Sequence, residues 1–318
     1  MKMKKFTKEQ IEKNLDIPKL ILQMERGFVN FSEGKVIVPS PGHLHFESPP
    51  GDLYIKYGNI KDDTYTVVKI ASYFSGNYKQ KKKNLMGLML VFSQKTGEPL
   101  ALLEDEGYLT NLRTAIAGAI CAKHFAPRHT QYIGIIGAGM QARMQLQLLS
   151  HVIPSRKVWI WARREEAILE FKNDPLLKKF QIQVALSPQE VASHCQLIVT
   201  TTSATNPLLF ASDIKKGTHI TAVGADRPEK QELDPEIFAK ADLMIVDSRK
   251  QCFIYGETSH ALKENSLKKE SILELGEWID KKGIREDEWI TISDLTGVAI
   301  QDIVIATHCY ENLTTGTL

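Results

Sequence analysis

Tyr132-Ile133-Gly134-Ile135-Ile136-Gly137-Ala138-Gly139-Met140-Gln141-Ala142 is the stretch whose reading decides the fold. Tyr132 to Ile136 has the apolar, β-branched content of a buried strand, and the residues from Arg143 to Ser150 have the spacing of a helix. Between them Gly137 permits a tight turn, Gly139 lets backbone approach a phosphate, and the small Ala142 allows helix to pack closely on strand. Unpaired N–H groups and the positive dipole end at the helix start attract an anion. Gly137, Ala138, Gly139, Met140, Gln141 and Ala142 therefore read as a pyrophosphate cradle. A second strand, Lys157 to Trp161, arrives where a βαβ unit requires one, and further strands at 195–200, 218–223 and 241–247 alternate with helical segments. That alternation predicts an α/β fold with a doubly wound parallel sheet.

With 318 residues, 43% of them hydrophobic, the chain has enough apolar material for two domains with separate cores. A formal net charge of +2 argues against nucleic acid or a membrane surface as partner, and Lys79-Gln80-Lys81-Lys82-Lys83 reads as a solvated loop. Cys121, Cys195, Cys252 and Cys309 lie far apart with no paired spacing, so neither a metal cluster nor a redox motif is expected. Reduced thiols fit the cytoplasm. The basic start Met1 to Lys5 leads into polar residues and reads as neither signal peptide nor anchor. No apolar run approaches the roughly 20 residues of a spanning helix.

Residues 7–30 carry an apolar helical side, Ile11, Leu15, Ile17, Leu20, Ile21 and Met24, ending near Arg26-Gly27. Strand signals follow at 35–38, 53–57, 64–70, 85–92 and 99–103, with a hairpin at 94–98, predicting an antiparallel or mixed sheet of about five strands. A helix rich in small residues spans Thr110 to Phe125. A last helix near Gly297 to Asn312 is expected to return to the first domain. The expected organisation is a discontinuous domain of residues 1–118 with 298–318, and a dinucleotide-binding domain of residues 119–297.

Cofactor choice is read after the second strand of such a unit, where an acid accepts the ribose hydroxyls of NAD and arginine meets the extra phosphate of NADP. Here Arg163 and Arg164 follow Trp161-Ala162 and no acid precedes Glu165, which favours NADP(H) and leaves NAD(H) possible. Asp226 follows Val223-Gly224-Ala225 at the carboxyl end of a strand, the edge where ligands sit; a turn or cap aspartate would look the same. Thr200, Thr201 and Thr202 end another strand and could offer hydroxyls to the cofactor, although a polar loop would look the same. Lys69 interrupts the strand Val67-Val68-Lys69-Ile70, and Arg113 opens the small-residue helix. Together they suit a substrate carboxylate, although a surface lysine and a helix-start arginine would give the same pattern.

Five ordered motifs resemble the ornithine cyclodeaminase/mu-crystallin family: Lys69 in its strand, Arg113-Thr114-Ala115, Gly137 to Ala142, Val223 to Pro228 with Lys230 to Leu233, and Gly297-Val298-Ala299-Ile300-Gln301-Asp302. The resemblance spans nearly the whole chain. It implies a homodimer whose discontinuous α+β domain binds substrate, pairs with its twin and faces a Rossmann domain across a cleft. It implies Lys69 and Arg113 on the substrate carboxylate, Asp226 at the reacting nitrogen, and Gly297 and Val298 beside the nicotinamide. It also implies NAD(P)-dependent hydride transfer at a carbon bearing nitrogen in a small amino-acid or imine substrate, whether by imine reduction, amino-acid oxidation or cyclodeamination of ornithine. A non-catalytic NADPH-binding protein is a further member type. Where an ornithine site resembles glutamate this chain has Lys56, and a carboxylate-binding arginine is replaced near His45. Both changes favour added negative charge on the substrate over ornithine, though Lys56 would read equally as an exposed strand position.

Overall fold

The computed structural model describes residues 3–315 and divides into two compact units, Met1–Arg113 with Ala299–Leu318, and Thr114–Val298. Residues 1, 2 and 316–318, which fall in the expected first domain, lie outside the described residues. The division falls inside the long helix that carries Arg113.

Unit 1 is built on a seven-stranded sheet. In chain order it contains β1 (Lys4–Thr7), α1 (Lys8–Lys13), α2 (Ile17–Ser32), β2 (Val36–Ile37), β3 (Gly42–Glu47), β4 (Pro50–Ile60), β5 (Tyr65–Tyr73), β6 (Leu85–Ser93), β7 (Pro99–Glu104) and the start of α3 (Tyr108–Phe125). The strands lie in the order β1-β7-β6-β5-β4-β2, with β3 also on β4, and only β1 on β7 is parallel. Two strands go beyond the five expected. Every residue of β3 is exposed, so no alternation marked it, and β1 is short and lysine-rich.

The single N-terminal helix expected over 7–30 is two. Thr7 and Gln10 form a capping box at the start of α1, and Asp16 caps α2 with Pro18 in its first turn, so a new helix begins at Ile17. Gly27 does not end α2, which runs to Ser32. A Cβ on Gly27 would lie 2.7 Å from Val304 of the C-terminal helix Ala299–Thr315, so the glycine permits close helix packing. The core of this unit joins Leu20, Met24 and Phe28 of α2 with Ile300 and Ile305 of the C-terminal helix and Met89 and Val91 of β6, all buried.

Unit 2 contains β8 (Tyr132–Ile136), α4 (Met140–Leu149), β9 (Lys157–Trp161), α5 (Glu165–Lys172), β10 (Gln181–Val184), α6 (Pro188–His194), β11 (Leu197–Thr200), β12 (Thr205–Leu209), β13 (His219–Ala222), β14 (Gln231–Leu233), β15 (Leu243–Val246), β16 (Ile272–Glu274) and β17 (Thr291–Asp294). Eight strands form one parallel sheet in the order β10-β9-β8-β11-β13-β17-β15-β16, while β12 and β14 pair separately. From β8 the chain builds outward to β9 and β10, then returns to β11 on the other side. That reversal is the topological switch point at which such sheets bind ligands.

Gly134 sets the fit of α6 on β8, because a Cβ there would meet Val191 Cγ1 at 2.5 Å and Cys195 Cβ at 3.1 Å. Gly134→Val is expected to cost about 1–3 kcal/mol by overpacking. The urea midpoint should fall with little change in slope; an unchanged midpoint would show that the interface yields freely.

Candidate active site

The turn after β8 is held open for a ligand. Gly137 has φ of 114°, a conformation costly for any residue with a side chain, and a Cβ there would strike Thr201 Oγ1 at 2.5 Å. Its N–H donates to the Trp161 carbonyl at 2.8 Å, and the Thr201 N–H donates to the Ile136 carbonyl at 2.9 Å, so the loops after β8, β9 and β11 are tied together. Gly139 is the N-cap of α4 and provides no capping side chain, which leaves first-turn N–H groups for an anion. A Cβ on Gly139 would meet no protein atom within 4 Å. Ala142 is fully buried behind the turn, with the half-buried Gln141 beside it.

Gly137, Ala138, Gly139, Met140, Thr201 and Thr202 line a pocket of about 460 Å³, and the exposed Arg163 and Arg164 line it where β9 passes into α5. Arg143 also lines it, 3.3 Å from Glu170 and 3.7 Å from Asp174. An uncapped helix start, an open glycine and a cationic rim fit a dinucleotide. Thr200 behaves differently from its two neighbours. It is fully buried, and its hydroxyl donates at 2.7 Å to Glu232, away from the pocket.

Glu232, given no role by the sequence reading, organises this edge of the sheet. Its carboxylate accepts from Thr200 Oγ1, from Thr202 N at 2.5 Å and from Gly224 N at 2.9 Å, joining the loops after β11 and β13. Burial pushes its pKa upward, against the pull of those donors. Val223 N–H donates to the Thr200 carbonyl at 3.0 Å. Beyond it Asp226 is more than half exposed and lies 2.5 Å from Lys230 Nζ. Gly297, with φ of 84°, donates its N–H to Asp247 Oδ2 at 2.6 Å, and Val298 beside it is buried. The only sequence signal for Glu232 was its place beside Lys230 and Gln231 in a motif; Asp247 ended a predicted strand without further distinction.

In unit 1 the structure brings Lys69 and Arg113 together. Lys69, on β5, is 2% exposed, and its Nζ lies 2.9 and 2.8 Å from the two oxygens of Asp302 on the C-terminal helix. Arg113 Nε lies 3.2 Å from Asp302 Oδ1, and Arg113 Nη1 donates to Gln301 Oε1 at 2.5 Å. Lys56 sits directly opposite Lys69 in the antiparallel β4–β5 register, so both side chains leave the same face. Lys56 is half-buried rather than fully exposed. Burial, with the charges of Arg113 and Lys56, lowers Lys69 to about 7 against the pull of Asp302. Burial alone would raise Asp302, but Lys69, Arg113 and Lys56 outweigh it and hold the carboxyl below its ordinary range. Gln301 and Asp302 end the Gly297 to Asp302 motif, and the signal in the sequence is an acid in an otherwise apolar helix. His45 pairs with Asp52 of the neighbouring strand. It lies on β3, exposed, with Nδ1 3.0 Å from Asp52 Oδ1.

A dinucleotide pocket at the switch point, together with a buried cationic cluster, defines the class as a dinucleotide-dependent oxidoreductase. The model of the ornithine cyclodeaminase/mu-crystallin family matches residues 2–317, and the chain belongs to that family. It is similar to the alanine dehydrogenase of Archaeoglobus fulgidus, 36% identical over 310 residues, covering 96% of this chain and 94% of that one. It is also similar to a Delta(1)-pyrroline-2-carboxylate reductase of Bacillus cereus, 33% identical over 287 residues, covering 88% and 87%. An archaeal alanine dehydrogenase dimer with bound NAD superimposes with a TM-score of 0.91 at 34% identity, covering 100% of this chain and 98% of that one. The protein is an NAD(P)-dependent enzyme of this family, an oxidoreductase acting at the C–N bond of an amino acid or its imine.

Removing Asp302 strands two buried cations. Asp302→Ala is expected to lower stability by about 3–5 kcal/mol, measured by chemical denaturation. A change under about 1 kcal/mol would mean that Lys69 and Arg113 find water or another partner at once.

Proposed function

We propose that the protein uses NADP(H) in preference to NAD(H) to reduce an imine of an α-keto acid, cyclic or open, and runs the matching amino-acid oxidation in reverse. The observation that carries this reading is the buried pair of cations Lys69 and Arg113, which meet at Asp302, with Lys56 directly across from Lys69 on the neighbouring strand. A guanidinium and an ammonium brought together in this way suit an incoming anion. A substrate carboxylate supplies that anion, held by the planar fork of Arg113 and the point charge of Lys69. A second carboxylate on the substrate would be welcome at Lys56. A substrate ammonium would be repelled by about 1 kcal/mol or more, which disfavours ornithine and with it the cyclodeaminase reading.

The dinucleotide, when bound, supplies the hydride. The chain's own residues manage charge. Asp226 keeps the substrate nitrogen protonated, because an iminium carbon accepts hydride more readily than a neutral imine, and returns that proton in the reverse direction. The preference for NADP(H) rests on Arg163 and Arg164 at the pocket rim, where two guanidiniums suit a phosphate monoester. A homodimer is supported by the dimeric archaeal relative, and the cytoplasm by four free, buried cysteines. Among the described residues no helix is long and apolar enough to cross a membrane.

The decisive experiment follows NADPH absorbance with pyrroline carboxylate, piperideine carboxylate, pyruvate with amines, and dicarboxylic imines, then repeats the panel with NADH and tests ornithine for proline formation. Turnover of at least one imine and none of ornithine is expected. Tight NADPH binding with no turnover anywhere in the panel would make the protein a binder of the nucleotide and sink the catalytic reading. Asp226→Asn should lower kcat by about 10²–10⁴ while NADPH still binds. Unaffected turnover would remove Asp226 from the chemistry.

Lys69 sets a pH dependence whose sign follows from its lowered pKa. The side chain must be charged to grip a carboxylate, so kcat/KM should fall as pH rises through about 7. Lys69→Arg, which stays charged at all working pH values, should remove that fall. A limb that survives in Lys69→Arg belongs to another group.

A further inference from the structure

Outside this machinery, β3 and β4 assemble a compact donor set. His43 and His45 stand two residues apart on β3, so both imidazoles leave one face of the strand. The antiparallel register places Asp52 of β4 directly across from His45, and Tyr54 across from His43. Asp52 is only 4% exposed although both histidines reach solvent. His43 Nε2 lies 2.8 Å and His45 Nδ1 3.0 Å from the same carboxylate oxygen, Oδ1. The His43 ring is stacked flat on Tyr54, with centroids 4.4 Å apart and planes 3° apart, which fixes the direction of its nitrogen. The three donor atoms all lie within 4.8 Å of one another.

We propose that His43, His45 and Asp52 bind one divalent transition-metal ion, with zinc the best match and water completing the shell. Two imidazole nitrogens with one carboxylate oxygen are the donors chosen by zinc, nickel or copper, whereas magnesium and calcium require oxygen throughout. Metal–ligand bonds of about 2.0–2.1 Å put tetrahedral neighbours about 3.3 Å apart. The two nitrogen–oxygen separations need to open by only a few tenths of an ångström, and the two imidazole nitrogens already lie within 4.8 Å of each other. Without metal, each neutral imidazole can donate an N–H to Asp52. On binding, each of those protons moves to the other ring nitrogen, and the freed lone pairs and the carboxylate take the ion. No covalent bond besides N–H is broken, and no redox partner is required.

Rigid placement distinguishes this trio from scattered surface histidines. The strand alternation aims both rings, the register supplies the acid, and the stack on Tyr54 limits rotation of His43. Asp52 lies four residues along β4 from Lys56, a backbone rise of about 13 Å. The effect of the site is to clamp the β3–β4 hairpin, whose outer strand is exposed along its whole length. The sequence carried no spacing signal, because the acid comes from the neighbouring strand beyond a turn.

The test uses the full chain, freed of metal by dialysis against a chelator and titrated with zinc ion alone by calorimetry, with a thermal melt in parallel. One ion per chain with a Kd below about 1 µM is expected. The melting temperature should rise by about 5 °C when zinc is 100-fold above Kd. His43→Ala and His45→Ala alter exposed side chains and should each weaken binding by about 100-fold, while Asp52→Asn should weaken it similarly if the variant folds. Magnesium should give no saturable binding. Zinc binding weaker than about 10 µM, or an affinity unchanged in both His43→Ala and His45→Ala, overturns the proposal.

Discussion

The ion cluster of Lys69, Asp302 and Arg113 is the constraint on which unit 1 depends. It joins a central strand, the start of a helix and the C-terminal helix, although Lys69 and Asp302 are separated by 233 positions in the chain. Charges this deeply buried are tolerated only when paired with good geometry, and breaking one pairing leaves the other groups stranded. The C-terminal helix therefore has both an electrostatic and an apolar reason to return: Asp302 meets the two cations, while Val304 and Ile300 close around Gly27. Lys56 faces Lys69 from the neighbouring strand, and its charge adds to the burial that lowers the Lys69 pKa.

Unit 2 solves a different problem with the same means. Loops at the carboxyl ends of parallel strands must be rigid enough to hold a cofactor, yet their backbone donors must not be left unpaired. Buried carboxylates do the tying. Glu232 joins the loops after β11 and β13, Glu257 accepts from the backbone of Glu232 and Leu233, and Asp247 holds Gly297 in a conformation that favours glycine. Burial raises the pKa of Glu232 and Glu257, Glu257 with the added repulsion of neighbouring acids, and backbone N–H groups supply the compensation. None of these acids needs to touch substrate for the loops to depend on them.

Local order was readable wherever chemistry acts over a few residues. The strand–turn–helix at Tyr132 to Ala142 was legible because glycine positions and apolar periodicity are local requirements, and the sheet built around it follows. The N-terminal segment forms two helices because Asp16 caps a new helix, with Pro18 in its first turn, in the middle of a continuous apolar stripe. Gly27 was misjudged because a glycine inside a helix looks like a terminator until the helix packed against it is known. Strands such as β3 and β10, exposed along much of their length, carry no burial rhythm to detect. Lys69 and Arg113 were singled out as cations in unusual places, but Asp302 and Glu232 were passed over, because an isolated acid announces nothing about its partners.

The amino-acid sequence by itself determined the class of fold, the pyrophosphate turn, the two arginines after the second strand and the presence of cations suited to an anionic substrate. These depend on backbone geometry and residue chemistry that hold within short windows. Only the tertiary structure decided that Lys56 faces Lys69, that one aspartate neutralises two cations, that Thr200 turns from the pocket toward Glu232, and that His45 turns to Asp52. Each of those outcomes is a matter of strand register or of helices meeting from distant parts of the chain. Register and long-range packing are set by the sum of many burial terms, and no short window contains that sum.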